Sequence, residues 1–379
     1  MPKRLSGPAE ARRPRFVHWL LAAYNIAVLI AASLAINLGW QHPPMPLFPL
    51  MLSLLGLWFL AVFAMVLVHE FGHAFFAVAG GWHIHLIGIG PIQIRPDPFR
   101  VRLGYLPVSG DVGGYVLAWP LSARRRREGA VPYYAGGAIA SAFGAGLSIL
   151  LALTLPAGSA ERAWLTGFSI LSFFQGAIFN LIPMRLGTMR SDGQAIVDHV
   201  FGSADDLEEA IQDLSVKVLS GVRPRDWDGG LVARLAQIPP EHALRPAVLE
   251  MLFAWHFDRG DIDGARRVLA TMDEAIAQDG DAAKPFLVSF QFTKAFFIAH
   301  VDGDGEGALA ILKTLPNAPP WRSLHWRVRA AIAIALKNKA EALLAVRRFQ
   351  QSLRGSFYVV PSEDDWELAR ELARRAQAL

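Results

Sequence analysis

The chain has 379 residues, 53% hydrophobic and only 18% charged, which is too apolar for an ordinary soluble protein and long enough for two or three domains. It has no cysteine, which excludes disulfides, a zinc ribbon and a cysteine nucleophile, and leaves His, Asp and Glu as metal ligands. The net charge of +4 conceals two unlike halves: residues 1–184 carry 13 Lys/Arg against 6 Asp/Glu, and residues 185–379 carry 24 against 27.

A basic tail, residues 1–16 with Lys3, Arg4, Arg12, Arg13 and Arg15, precedes the first of four apolar stretches: 17–40, 47–68, 131–156 and 164–183. Each is long enough for a helix of about 20 residues rising 1.5 Å per residue to cross a hydrocarbon core. The first exceeds the about 7 to 15 apolar residues of a signal peptide, so it reads as a retained span. Lys and Arg concentrate in the tail and in the loop between the second and third stretches (Arg95, Arg100, Arg102 and Arg124 to Arg127), while the other two loops hold only Arg162. That bias places the tail and the 82–130 loop in the cytoplasm, and four crossings return the chain there as well.

At the end of the second stretch stands His69-Glu70-Phe71-Gly72-His73. Two imidazoles one helical turn apart can chelate zinc, and Glu70 beside them is placed to take a proton from an attacking water. Ionisable residues in an apolar run are expensive and mark function by default. The loop that follows alternates apolar and turn residues, as in His83-Ile84-His85-Leu86-Ile87-Gly88 and Ile92-Gln93-Ile94, which predicts a small strand-rich insertion over 82–118. His83 and His85 share a strand face but lack a third ligand, so they read as a polar face. The third stretch, with Gly136, Gly137, Ala140, Ser141 and Gly144, sets small residues four apart for close helix packing. Mid-span Gln175 reads as an interhelical hydrogen-bonding group.

Catalytic zinc needs a third protein ligand and one open position. The second and fourth stretches run in the same direction, so Asp192, just past the fourth, is the best candidate ligand. Asp97, Asp111, Asp198 and His199 share its membrane face and stay open as alternatives. His199, seven positions on, would share a helix face with Asp192 but stand about 10 Å away, too far to hold the same ion with it.

The residues from Ala204 onward are polar and helical. Segments 260–269, 303–312 and 338–346 look alike, and their alanines Ala265, Ala308 and Ala342 are spaced as in stacked helical hairpins, each following an apolar helix. The region is similar to tetratricopeptide-like repeats and is expected to offer a face to a protein or peptide partner.

Together these motifs resemble the site-2 protease family of intramembrane zinc metalloproteases. The resemblance rests on His69-Glu70-Phe71-Gly72-His73, on Asn180-Leu181-Ile182-Pro183 followed by Asp192-Gly193, on Gly113-Gly114-Tyr115-Val116, and on Ala135-Gly136-Gly137. It covers about residues 47–200. It implies that His69, His73 and Asp192 bind one zinc ion per chain, that Glu70 is the general base, and that Asn180 stabilises the oxyanion. Gly113, Gly114, Tyr115 and Val116 would hold the substrate extended, as an added strand. The spacing from Asn180 to Asp192 is longer than the family's, so residues 184–190 are expected to contain an insertion.

The expected architecture is thus mainly α. A polytopic membrane metalloprotease domain (17–200), with about four transmembrane helices and a small β insertion, is followed by a cytoplasmic helical repeat-like domain (201–379). The expected function is hydrolysis of a peptide bond in or next to a transmembrane segment of a membrane-protein substrate. The protein would sit in the lipid bilayer of the cell (inner) membrane with both termini cytoplasmic, and no nucleic-acid partner is expected. The competing expectation is an inactive membrane scaffold that recruits partners through its helical repeats.

Overall fold

The computed structural model describes residues 15–41, 46–97, 99–103, 113–120, 123–186, 189–201, 206–242, 244–278, 284–317, 321–357 and 359–379. The tail before residue 15, Asp111 and the side chains of Arg124 to Arg127 lie outside the described residues. The chain folds as two compact units that divide between Phe201 and Gly202. The fold is mainly α, with fourteen α-helices and a small antiparallel sheet among the described residues.

In the first unit, three helices are long and apolar enough to cross a membrane: α1 (Arg15–Gly39), α2 (Leu47–Ala79) and α3 (Ala123–Thr154). Their outer faces expose large apolar side chains, among them Phe48, Leu52, Phe59, Phe71, Phe143 and Leu150. A soluble monomer rarely carries so continuous an apolar surface. The second stretch was expected to end at residue 68, but α2 runs unbroken through both histidines to Ala79. Its 33 residues make about 50 Å of helix, more than the about 30 Å of a hydrocarbon core. Helix propensity does not stop at a polarity change, and Gly80 caps the helix only where the sheet begins.

The expected fourth span does not form one α-helix. Ser159 caps α4 (Ala160–Ile170), its hydroxyl accepting from the Arg162 N–H at 3.2 Å. The helix then passes without a break into a π-helical segment, Leu171–Phe179. Wider turns of this kind release backbone carbonyls and cluster at functional sites. Here the Asn180 amide donates to the carbonyls of Gln175 and Gly176, at 3.2 and 3.1 Å.

Between α2 and α3 the predicted β insertion is present. Strands β1 (Trp82–Ile89), β2 (Ile92–Arg95), β3 (Arg100–Leu103) and β4 (Gly114–Pro120) form an antiparallel sheet in the order β3-β2-β1-β4. A bulge lies between Ile84 and Leu86 on β1, where Ile84 pairs with Ala118 and Leu86 with Leu117. His83 and His85 both pack on Trp119, with ring centres 5.4 and 5.0 Å away. Trp82, Val116, Ala74, Ala77, Ala130 and Tyr133 make one apolar cluster that fixes the sheet to α2 and α3.

Past the π segment, β5 (Arg185–Leu186) and β6 (Met189–Arg190) pair as a hairpin, after which α5 (Asp192–Val200) begins. The hairpin lies within residues 184–190, and its ends meet where the Ser191 N–H donates to the Met184 carbonyl at 2.9 Å.

The second unit holds α6 (Asp206–Leu219), α7 (Gly229–Leu235), α8 (Arg245–Asp258), α9 (Ile262–Gln278), α10 (Lys284–His300), α11 (Gly305–Leu312), α12 (Arg322–Ala335), α13 (Lys339–Arg354) and α14 (Glu363–Ala378). The three look-alike segments open α9, α11 and α13. Each is entered by the same turn. Gly260, Gly303 and Lys337 take left-handed φ angles of 74, 72 and 58°. The next residues, Asp261, Asp304 and Asn338, accept from the N–H groups of Gly264, Gly307 and Glu341 at 2.9, 2.8 and 3.1 Å. The turn is thus an αL residue followed by an Asx N-cap. Ala265, Ala308 and Ala342 are each fully buried just beyond it.

Three successive cores follow one another along this unit. Phe290 and Phe297 of α10 belong to the first, while Phe292 and Phe296 of the same helix belong to the second. Likewise α12 gives Val328 and Ile332 to the second, and Ala330 and Ala333 to the third. Each core is closed by sequence neighbours, as in an array of repeats.

Candidate metal centre

The site is built on α2, whose 3.6-residue period puts His69 and His73 one above the other on a buried face. Their Nε2 atoms lie 3.1 Å apart. Oδ2 of Asp192 is 3.2 Å from the first and 3.3 Å from the second. Ligand atoms about 2.0 to 2.1 Å from a tetrahedral zinc ion stand about 3.3 Å from one another, so the triangle has the size of a tetrahedron's face.

Both histidines are oriented from behind. His73 Nδ1 lies 2.8 Å from the carbonyl of Tyr133, which can only accept, so that nitrogen carries the proton and Nε2 of the neutral ring presents a lone pair. His69 Nδ1 lies 3.2 Å from the hydroxyl of Ser141. Ser172 donates to the Ser141 carbonyl at 2.8 Å and ties α3 to the π segment at this level. Three acceptor atoms this close repel unless positive charge lies among them, and one shared proton bridges only two. With protons in that role, burial opposes ionisation of Asp192, yet hydrogen bonds with His69 and His73 bring its pKa down to about 2.

The approach of α3 is close enough to demand glycine. A Cβ on Gly137 would stand 2.6 Å from Nε2 of His69 and press on Nε2 of His73 as well. The pattern of small residues, read from the sequence as packing, therefore also clears room for the imidazoles.

Asp192 reaches the triangle because Ser191 is the N-cap of α5. The Ser191 hydroxyl accepts from the N–H groups of Gln194 and Met184, at 3.2 and 3.0 Å, and donates to the carbonyl of Ile182 at 2.7 Å. Of the alternatives left open in the sequence, Asp198 is taken by Gln194 Nε2 at 2.7 Å and by Arg190 at 3.5 Å. Asp97 sits exposed at the turn after β2, and neither it nor His199 belongs to the ligand group. Among the described residues, His69, His73 and Asp192 are the His/Asp/Glu group able to hold a metal ion.

Glu70 is buried beside the triangle and lies against β4, where a Cβ on Gly114 would meet its Oε1 at 2.6 Å. Gly113 adjoins Val66 of α2, and the Val116 carbonyl accepts from the Tyr133 hydroxyl at 2.6 Å. Within the sheet β4 pairs with β1 and lies at an edge. Asn180 caps the π segment with its amide donating to the carbonyls of Gln175 and Gly176. The shielded Oε1 of Gln175 has no hydrogen-bond partner among the described residues.

Sequence reasoning missed Ser141, the Tyr133 carbonyl, Gly137 as spacer and Ser191 as cap. Only Ser191 had a readable signal, as a serine immediately before the first residues of a helix. The fold and site define a protein of long apolar helices with a buried His-His-Asp group able to bind a metal. No protein-family model, curated protein or solved structure matches the chain.

Proposed function

We propose that this chain is an intramembrane zinc metalloprotease of the site-2 protease kind, which hydrolyses a peptide bond in or next to a transmembrane segment of a substrate protein. The observation that carries the reading is Glu70, buried beside three convergent ligand atoms on a helix that is otherwise apolar. Two imidazole nitrogens and one carboxylate oxygen suit zinc by donor type and spacing, and three protein ligands leave a position open. When bound there, zinc supplies Lewis acidity that polarises a carbonyl and lowers the pKa of water to about 7.

The chain's own groups then divide the work. His69, His73 and Asp192 hold the ion, and Ser141 and the Tyr133 carbonyl keep the imidazoles turned toward it. Glu70 accepts the proton of the attacking water and delivers it to the leaving amine. A substrate segment added alongside Gly113, Gly114, Tyr115 and Val116 would be extended and would run past Glu70, which touches Gly114. Asn180 is assigned the oxyanion by resemblance, and to reach it the amide must leave the carbonyls of Gln175 and Gly176. In this reading α4 with its π segment is the fourth crossing, both termini face the cytoplasm of a cell (inner) membrane, and the second unit is a tetratricopeptide-like partner-binding domain. An inactive scaffold has no need of a buried Glu70.

Elemental analysis of the detergent-purified protein tests the metal, and cleavage of a single-span reporter whose helix is weakened by glycine tests the chemistry. About one zinc per chain is expected, lost in His73→Ala and in Asp192→Ala. Glu70→Gln should keep the zinc and leave the reporter intact. A parent protein without zinc after reconstitution would replace this reading with the scaffold.

A further inference from the structure

The carboxylate of Asp192 comes to the ligand triangle from a different element than the imidazoles. Both histidines project from α2, whereas α5, which carries Asp192, packs chiefly on α3. A nine-residue helix does not hold itself in place, and a metal site tolerates displacements of only about 0.5 Å. The start of α5 must therefore be fixed by contacts outside the helix.

One side of that start is fixed from the π segment. Ser191 caps α5 and bonds to Ile182 and Met184, while Gly193 packs so closely that a Cβ there would clash with the Leu181 carbonyl. The other side is fixed by Arg190, the last residue of β6. Its Nη1 lies 3.5 Å from Oδ2 of Asp198 on α5. Its Nη2 donates to the Tyr134 hydroxyl on α3 at 3.2 Å, and the guanidinium carbon stands 5.5 Å from the centre of the same ring. Asp198 is buried and also accepts from Gln194 Nε2. A guanidinium carries N–H donors on separate prongs of a rigid fork, so one side chain holds a carboxylate on α5 and a hydroxyl on α3 at once. A lysine ammonium is a compact point charge and would hold only one of them.

The anchor on α3 is next to a group that already serves the triangle. Tyr134 follows Tyr133, whose carbonyl receives the His73 Nδ1 proton, and the two tyrosine rings are 4.9 Å apart. One turn of α3 thus orients a histidine through Tyr133 and reaches the aspartate's helix through Tyr134 and Arg190. We propose that Arg190 is a positioning residue of the metal centre: by tying Asp198 of α5 to Tyr134 of α3 it holds Asp192 against His69 and His73, and so sets the affinity of the site. The inference rests on the metal-binding part of the reading above and not on proteolysis.

Zinc affinity, measured by competition with a chelator on the detergent-purified full chain, tests the tie. Tyr134→Phe removes one oxygen and keeps the ring, and should weaken zinc about tenfold, the lower end of what lost outer contacts cost a metal site. Arg190→Lys keeps a charge at Asp198 without reaching Tyr134, so it should lose about the same. Both variants cut one link, and the double variant should therefore be no weaker than about tenfold. Ser169→Ala loses a comparable bond, from α4 to the Ala145 carbonyl of α3 at 2.9 Å, and should leave the affinity unchanged. In the zinc-free protein Tyr134→Phe should also speed hydrogen exchange in α5. Unchanged affinity in Tyr134→Phe, losses that multiply to about a hundredfold in the double variant, or an equal loss in Ser169→Ala would each overturn the role of Arg190. In those cases a parent that binds zinc leaves the metal centre standing, whereas a parent that takes up none removes the centre and the tie together.

Discussion

Both units bury ionisable groups among apolar side chains, but they arrange them in opposite ways. In the first unit the lone pairs of His69, His73 and Asp192 converge on a space the size of one ion, and each imidazole is held from behind by a hydrogen bond. In the second, Glu250, Asp364, Asp365 and Arg327 stand around an open cavity with two of their polar atoms unsatisfied. Converging acceptors need a point charge and tolerate no displacement. Charges spread around a cavity tolerate the loss of a member. Burial alone therefore does not define a site's chemistry, which depends on where the lone pairs point.

The largest effect should come from disturbing the convergence without touching a ligand. Gly137→Ala drives a methyl group against Nε2 of both histidines, so its zinc content should fall from about one per chain to background, measured by elemental analysis. Full zinc in that variant would show that α3 yields, and the contrast between the units would fail. Next comes Glu70→Gln, which should retain zinc yet cut reporter cleavage by about 10²- to 10⁴-fold, the usual worth of a general base.

The same kind of change in the second unit should have the reverse sign. Glu250 has a folded pKa raised by burial from 4.5 to about 7, so its stabilising contribution is complete below about pH 4.5 and is lost as pH rises through 7. At pH 8, Glu250→Gln should therefore be the more stable protein, by on the order of 2 to 3 kcal/mol, with the difference fading toward pH 4. Hydrogen exchange of α8 and α10 in the full chain reads this directly. A variant less stable than the parent at pH 8 would show that the carboxylate is compensated after all. The smallest effect is expected for Ser141→Ala, which frees His69 Nδ1 and should weaken zinc binding about tenfold by competition with a chelator.

Much of the first unit was legible because its signals are local. Histidines four apart mark two candidate metal ligands within one helical turn, with a Glu beside them. The alternation between residues 82 and 118 marked the sheet, and Gly260-Asp261 and Gly303-Asp304 marked the hairpin turns. The third turn was harder to read, because Lys337 takes the left-handed conformation there without being glycine. The second apolar stretch is shorter than its helix, and the fourth is α-helical only to Ile170. A polarity pattern shows neither how far backbone hydrogen bonding continues nor where it widens into π turns.

The amino-acid sequence by itself determined the long apolar helices, the histidine pair with its glutamate, the strand-rich insertion and the repeated helical hairpins, since each depends on residues a few positions apart. The tertiary structure brought Asp192, the sequence's best candidate, onto both histidines, kept Asp97, Asp198 and His199 out of the group, and set Ser141 behind His69 and Gly137 against both imidazoles. Those outcomes depend on tenths of an ångström between helices distant in sequence, and short-range composition and periodicity carry no information about such distances.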